Sequence, residues 1–354
     1  MFLKILFSSF FILLLSACSE TNQTIHNDSI TDTNTTNTII INDTYYKTQW
    51  YLKNINIANT WNITKGKGIK IAILDDSFDV YHEDFEGLSF LSYDVSSDSS
   101  DVTGYYDENY HGTAVAGIIS AQHNEKGIAG IAPEGELIFI QHDKNEYQIL
   151  KALEYAKAQN VDVINCSWSY YNMSEAIQEK LNELTTLGRD GKGIVIVFAA
   201  GNDYSDISSY SIMASPNLIV VGASTSDDSL AWYSNTGKYI DLVAPGGDGN
   251  QMNIATLDVM GEDGLADYNA KDPNYLLSDE EYYTFYGTSA AAPIVTAIVA
   301  LMLSINPELT RDEVENILKN STTKIGDIQY INGRNNTYGF GKLNVKEAIT
   351  ASSL

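Results

Sequence analysis

The feature that most constrains the fold is a small-residue turn that runs directly into a long apolar segment. Residues 286–293 read Tyr-Gly-Thr-Ser-Ala-Ala-Ala-Pro, and residues 294–303 are rich in Ala, Val, Ile and Leu. The pattern predicts a long helix with Ser289 at its positive end, beside backbone N–H groups that have no partner within the helix. A hydroxyl there is well placed to act as a nucleophile. Taken alone, the stretch favours a helix cap as the role of Ser289.

Three further polar residues stand at the ends of apolar segments. Residues 69–74 indicate a buried strand that ends on Asp75, and His111 opens a second helix of small and apolar residues. Residues 193–201 indicate another buried strand, followed by Asn202. A carboxylate, an imidazole, a hydroxyl and an amide are the groups that acyl transfer uses. Any one of them alone is more typical of a turn, a cap or a core position.

Short blocks along the chain resemble the subtilisin-like serine proteases. In chain order they read ILDDSFDVYHEDF, HGTAVAGII, GIAGIAP, VINCSWS, VFAAGN, LVAPGG and YGTSAAAP. The alternation of strands and helices by itself predicts one α/β domain with a parallel sheet. The resemblance implies more, namely a subtilisin-like three-layer fold with a mostly parallel central sheet and helices on both faces.

The resemblance also implies a serine endopeptidase with no cofactor in its chemistry. In that family Ser289 would attack the scissile carbonyl, His111 would take and return the proton, and Asp75 would orient His111. The Ser289 backbone N–H and the Asn202 amide would bind the oxyanion. A peptide-binding protein with weak or no catalytic activity is the main alternative, and a transpeptidase or cyclase is a third.

The family binds an extended peptide or protein substrate by strand addition, which the resemblance places at Ser167, Trp168 and Ser169. Trp168 would form a pocket wall, with ordinary core packing as the alternative. No acidic residue follows these positions until Glu175. We therefore do not expect a strict requirement for a basic residue just before the scissile bond.

Asp76 resembles the kexin-like branch of the family. We expect it to favour a basic side chain at the second position before the scissile bond. Ser77 and Phe78 depart from the family pattern, which usually has Gly in this turn. The departure raises the question of whether the Asp75 backbone is displaced.

A structural Ca²⁺ site is a further expectation from the resemblance. Its ligands would be oxygens from loops, which suit this ion. Carried across, they are the side chains of Asp43, Asp84 and Asn124 and the carbonyls of Gln122, Lys126 and Ile128. A plain polar loop is the alternative.

The first residues predict export. Residues 1–17 contain Lys4 and a short apolar run, as in a signal peptide. The apolar run ends in Leu-Ser-Ala-Cys, residues 15–18, which resembles a bacterial lipoprotein cleavage box and would make Cys18 the lipidated first residue. An ordinary signal peptide with an incidental Cys is the alternative. Residues 18–41 are polar and predict a flexible tether, much too short for a prodomain.

These segments precede a catalytic domain at residues 42–354. We thus predict an exported lipoprotein of the bacterial cell envelope, attached to the membrane only through its lipid. Lys and Arg number 21 against 46 Asp and Glu, a net charge of −25. Such a surface repels nucleic acid and anionic headgroups, so neither is an expected partner. We expect a monomer.

Two internal features complete the sequence analysis. Residues 246–286 form an acidic insertion, longer than the usual family connection at this point. We interpret it first as a solvated loop, with a lid or a second cation site as alternatives. Cys166 lies in an apolar strand and is expected to be a buried small hydrophobic residue.

Overall fold

The structure, a computed structural model, describes residues 40–103, 111–261, 264–266, 271–277 and 284–354. The chain separates into two units, residues 1–37 and residues 38–354, and the described residues belong to the second. The predicted signal peptide, Cys18 and nearly all of the predicted tether lie outside the described residues.

A parallel sheet of seven strands forms the centre of the described chain. All six neighbouring pairs are parallel, as predicted, and the spatial order is β2-β3-β1-β4-β5-β6-β7. The strands are β1 (Lys70–Asp75), β2 (Phe90–Asp94), β3 (Glu136–Gln141), β4 (Val163–Cys166), β5 (Val195–Ala199), β6 (Ile219–Ser224) and β7 (Leu242–Pro245). Because the strands run in one direction, their carboxyl ends meet at one edge of the sheet.

Helices cover both faces of this sheet. They are α1 (Trp50–Asn54), α2 (His111–Ser120), α3 (Glu146–Ala158), α4 (Glu175–Leu187), α5 (Thr288–Ile305), α6 (Arg311–Asn320) and α7 (Val345–Ser352). The cap predicted for α6 is present, since Thr310 and Glu313 form a reciprocal capping box.

Alternating side chains of each strand pack into two separate cores, one on each face of the sheet. On β1, Ile71 and Ile73 join the core that contains α2 and α5. Ala72 and Leu74 point to the opposite face and join the core that contains α3 and α4. Strands buried on both faces are typical of parallel sheets between helices. The three-layer arrangement expected from the sequence is confirmed.

Helix α5 is the central helix of the first core. Every residue from Ala290 to Leu303 is buried. Among the described helices, α5 is long and apolar enough to cross a membrane, but 83% of it is buried inside the protein. The apolar run is therefore a core helix, in contact with β4, β5, β6 and β7.

The described part of the acidic insertion packs against α2. It contains a short antiparallel pair, β8 (Thr256–Leu257) and β9 (Tyr275–Leu276). The Thr256 hydroxyl donates to the Ala114 carbonyl, and the Leu257 side chain lies against Gly117, where a Cβ would clash with it. The interpretation as a solvated loop is wrong for these residues, because several are almost fully buried: Ile254, Ala255, Leu257, Ala266, Tyr275, Leu276 and Leu277.

Candidate active site

Asp75 and His111 form a hydrogen-bonded pair at the carboxyl edge of the sheet. Asp75 ends β1 and is 1% exposed, while His111 begins α2. Its Nδ1 lies 2.7 Å from Asp75 Oδ1. The His111 side chain is 25% exposed and packs edge-on against Phe285. With Nδ1 committed to the carboxylate, Nε2 is the nitrogen available to a substrate.

A second carboxylate, that of Asp76, lies beside this pair and binds the first turn of α2. Asp76 Oδ1 accepts backbone hydrogen bonds from Ser77, at 2.7 Å, and from Gly112, at 3.0 Å. Burial lowers the pKa of His111, but the charges of Asp75 and Asp76 outweigh it and raise that pKa above its ordinary value. Burial, followed by the charge of Asp75, raises the pKa of Asp76 to about 6.

The departure from the family pattern after Asp76 does not separate Asp75 from His111. Ser77 is fully buried, and the Phe78 ring packs on Phe139 with centroids 4.8 Å apart. The side chains of Ser77 and Phe78, which are larger than the usual Gly, are therefore accommodated in the core beneath β1. The backbone of this turn instead approaches α2 closely at Gly112, where a Cβ would lie 2.3 Å from the Ser77 carbonyl oxygen.

Ser289 lies in the first turn of α5 and is held against the end of β4. Its hydroxyl donates to the Ser167 carbonyl, and its own carbonyl accepts from the Ser167 hydroxyl, both at 3.0 Å. Pro293 explains the second bond, because it has no N–H to offer the carbonyl four residues earlier. Since Cys166 pairs with Leu74, the end of β4 that holds Ser289 adjoins the strand end that carries Asp75.

The Asn202 amide is oriented by Thr288, in the turn directly before Ser289. Its Oδ1 accepts from the backbone N–H and the hydroxyl of Thr288, both at 2.9 Å. Because both partners donate, the oxygen is fixed and the Nδ2 donors occupy the other side of the amide. Nδ2 borders Gly287, where a Cβ would come within 3.1 Å of it. This exposed amide next to Ser289 can donate to an oxyanion.

The predicted substrate segment begins where β4 ends. Ser167 is buried and Ser169 is partly exposed. Trp168 is only 4% exposed, its Nε1 donates to the Leu74 carbonyl at 2.8 Å, and its ring packs on Phe198. The structure thus favours core packing for Trp168 over a pocket wall. Cys166 is fully buried, as predicted.

Asp43 and Asp84 lie in one buried acidic site. Asp84 is fully buried, and its Oδ2 accepts from Ile128 N at 2.8 Å. Its Oδ1 is buried without a hydrogen-bond partner among the described residues. Asp43 is 5% exposed and accepts from Asn124 N at 3.0 Å. Burial, together with the charges of Asp43 and Glu83, raises the pKa of Asp84 to about 8.

The other predicted calcium ligands surround these carboxylates on one loop. Asn124 Oδ1 accepts from Lys126 N, and its Nδ2 donates to the Glu83 carbonyl. The Gln122 side chain binds the carbonyls of Ser120 and Pro133, which leaves only its own carbonyl as a ligand. Within the described chain, no backbone N–H reaches the predicted ligand carbonyls: Gln122, Lys126 and Ile128. An orphaned carboxylate oxygen beside free carbonyls fits a hard cation.

Comparisons with known proteins agree with this geometry. The model of the subtilase family (peptidase S8) matches residues 66–341, most of the chain. The chain belongs to the subtilase family.

Among curated relatives of this subtilase, a calcium-dependent protease of a Nostoc species is 30% identical over 341 residues, covering 86% of this chain and 51% of that protein. The chain thus spans about half the length of that relative. Subtilisin E of Bacillus subtilis is also 30% identical, over 80% of this chain and 66% of its own. A solved protease of Pseudoalteromonas arctica is 25% identical with a TM-score of 0.72, covering 88% of this chain and 99% of the other.

Sequence reasoning assigned no role to three residues that complete the acidic site of this subtilase. His82 Nδ1 accepts from Asp84 N, and its Nε2 lies 3.0 Å from the carbonyl of Asn274 in the insertion. The Tyr275 hydroxyl donates to Glu83 Oε1 at 3.3 Å. Asn274 and Tyr275 lie about 190 positions away along the sequence. No local pattern could have placed the insertion over this site.

Proposed function

We propose that this subtilase is a serine endopeptidase with Asp75, His111 and Ser289 as its catalytic triad. The observation that carries the proposal is the 2.7 Å bond between Asp75 and His111, beside the strand end that holds Ser289. It fixes the imidazole tautomer, which leaves Nε2 free to act as a base. The relatives, which are named proteases, support the same reaction.

In this proposal the reaction begins when the Ser289 hydroxyl exchanges its bond to the Ser167 carbonyl for one to His111 Nε2. Ser289 Oγ then bonds to the scissile carbonyl carbon while its proton passes to Nε2. Collapse of the tetrahedral intermediate breaks the C–N bond, and His111 returns the proton to the leaving amine. Water repeats the sequence on the acyl-enzyme and releases the free acid.

Two donors would stabilise the tetrahedral oxyanion, the backbone N–H of Ser289 and the side-chain amide of Asn202. One such donor is worth about 3 kcal/mol in the transition state. Thr288 supports this role, because its two bonds to Asn202 Oδ1 hold the amide before substrate arrives. The site is preorganised in that respect.

The substrate would lie extended along Ser167–Ser169, with a basic residue favoured at the second position before the scissile bond. Asp76 would supply that preference. Both of its described backbone bonds use Oδ1, so Oδ2 is the oxygen left to meet a cationic side chain. The pairing of the segment with substrate is strand addition, in which backbone hydrogen bonds supply affinity.

A structural Ca²⁺ belongs to the proposal. Asp43, Asp84 and the Asn124 loop would hold it, and the ion would supply positive charge beside two buried carboxylates. The orphaned Oδ1 of Asp84 and its raised pKa support the assignment. A relative's name, calcium-dependent protease, points in the same direction.

We further propose that the protein is exported and tethered to the membrane through lipid on Cys18. The cleavage-box resemblance and the polar residues that follow support this, and extracellular relatives such as the minor extracellular protease of Bacillus subtilis are consistent with export. The protein would act as a monomer on peptides outside the cytoplasm.

Labelling with a fluorophosphonate probe tests the nucleophile. We expect the wild type to be labelled and Ser289→Ala to show only background. Ser304→Ala, at the other end of the same helix, is the matched control and should label like the wild type. Absence of label on folded wild type would overturn the proposal. It would favour a peptide-binding protein in which Ser289 stays bound to the Ser167 carbonyl.

A further inference from the structure

Exposed aromatic surface lies beside the nucleophile turn, and the proposed chemistry does not use it. Trp232 is 61% exposed, and Tyr286, three residues before Ser289, is 43% exposed. We call these two rings the aromatic platform. Exposed apolar patches mark interaction sites on soluble proteins, and Trp and Tyr are the residues that most often dominate binding.

The platform lies on the opposite flank of Asn202 from Ser167. In the sheet, β5 separates β4 from β6 and β7. Ser167 follows β4 and Asn202 follows β5, whereas Trp232 lies in the β6–β7 connection and bonds to the loop after β7. Along the carboxyl edge the order is therefore Ser167, Asn202, platform.

The platform is held rigidly to the nucleophile turn. Both of its rings pack on Tyr233, with centroids 5.6 Å away for Trp232 and 5.4 Å away for Tyr286. The Trp232 Nε1 donates to the Asp248 carbonyl at 3.0 Å. The Tyr233 hydroxyl accepts from Gly287 N at 3.1 Å, directly before Thr288. A rigid surface loses little conformational entropy when a ligand binds to it.

We propose that the aromatic platform binds a planar side chain in the leaving half of the substrate, on the carboxyl-terminal side of the scissile bond. This inference rests on the proposed function, which places the acyl half along Ser167–Ser169. Strands lie about 4.8 Å apart and an extended peptide advances about 3.3 Å per residue. Two to three strand spacings beyond Ser167 are about 10 to 14 Å, which corresponds to the third or fourth leaving residue.

The chemistry of the platform selects for stacking. The Trp232 N–H is already bonded, so the indole offers its apolar surface rather than a donor. Aromatic side chains pack favourably on such surfaces. The guanidinium of Arg stacks on them in the same way, and the negative charge of the protein adds to its attraction. An aliphatic side chain of similar size lacks the flat face.

The test compares substrates that differ only on the leaving side, using the full chain in detergent. Quenched peptides share one acyl sequence and carry Phe, Arg, Leu or Gly at the third leaving position. An anilide with the same acyl sequence has no leaving residues. For Trp232→Ala we expect kcat/KM to fall about threefold to tenfold on the Phe or Arg peptide. Values for the Leu and Gly peptides and the anilide should stay within about twofold.

Two controls make the outcome decisive. Trp232→Phe should retain most of the preference, and Tyr147→Ala, which removes an exposed ring on α3, should change nothing. A fall in kcat/KM on the Phe peptide alone, or on the Arg peptide alone, supports the platform and shows whether it prefers an aromatic ring or a guanidinium. An equal fall in kcat/KM on every substrate, or no fall on any of them, overturns the platform. A wild type that cleaves neither the anilide nor the peptides overturns the proposed function as well.

Discussion

At the scale of single residues, two carboxylates rather than one govern His111. Asp75 holds the imidazole directly, while Asp76 is fixed to the first turn of α2 through Gly112 N. Both charges favour the imidazolium and act against burial, so the pKa of His111 lies above its ordinary value. As the proposed base, His111 must be neutral to accept a proton. When the pH is lowered, activity should therefore be lost at a higher pH than the ordinary pKa of histidine would give.

Asp76→Asn should move the acid limb of the pH–kcat/KM profile to lower pH. The amide oxygen can still accept from Ser77 and Gly112, but the charge that stabilises protonated His111 is gone. Loss of that charge lowers the pKa of His111 and keeps it neutral in more acidic solution. Asp98→Asn, on an exposed turn, should leave the profile unchanged. An acid limb that stays in place in folded Asp76→Asn would contradict this account.

The sequence predicts individual site residues well where each stands at the end of an element. Asp75 at the end of a strand and His111 at the start of a helix are brought together by the pairing and packing of those elements. The environment of Trp168 could not be read in the same way, because the stretch around it fits a cleft wall and a core equally. Its burial depends on Phe198, thirty positions further on.

At the scale of elements, the insertion is the largest difference between prediction and structure. The parallel sheet and its helices follow from apolar strands alternating with helical segments, and this part is confirmed. The insertion contains many acidic residues, which favours a solvated loop. Its apolar residues, among them Leu257 and Tyr275, nevertheless cover α2 and the buried acidic site. Such contacts depend on partners far away in sequence.

The acidic site should make the stability of the catalytic domain depend on pH, and calcium should remove that dependence. Without a cation, the pKa of Asp84 is raised to about 8, above its value in the unfolded chain. The native state then binds more protons, so stability falls as pH rises from about 4 towards 8. In chelator we expect the melting temperature to drop by at least about 5 °C over this range.

Calcium should flatten that slope, since the ion replaces the proton on Asp84. Asp84→Asn should show no such slope and little response to calcium. The measurement is thermal unfolding across pH, with and without chelator. Asp206→Asn, at a carboxylate on a different loop, serves as the control. Identical curves with calcium and with chelator would contradict a cation at this site.

At the scale of the whole molecule, net charge and the predicted anchor act together. A charge of −25 repels anionic headgroups, so the folded domain has no electrostatic reason to rest on a bilayer. Attachment through a lipid on a polar tether holds such a domain near the membrane without pressing it against the surface.

Cys18→Ser should release the protein from the membrane fraction. Detergent phase partitioning and metabolic labelling with a fatty-acid analogue measure the effect. We expect label and partitioning to be lost, with fluorophosphonate labelling of Ser289 preserved. Cys166→Ala is the matched control, because Cys166 is the other cysteine of the sequence, and it should keep the lipid label. A Cys18→Ser protein that stays in the detergent phase would contradict the anchor.

Helix α5 bears on how this protein is made. Its eighteen residues begin at Thr288, after all seven strands of the sheet have been synthesised. Until α5 arrives, apolar side chains of β4 to β7 on that face lack their main covering, and a partly made chain is prone to aggregate. The same helix carries Ser289 in its first turn. The residues that complete the core and the proposed nucleophile are therefore synthesised together, so a chain that still lacks α5 has no nucleophile with which to digest its neighbours.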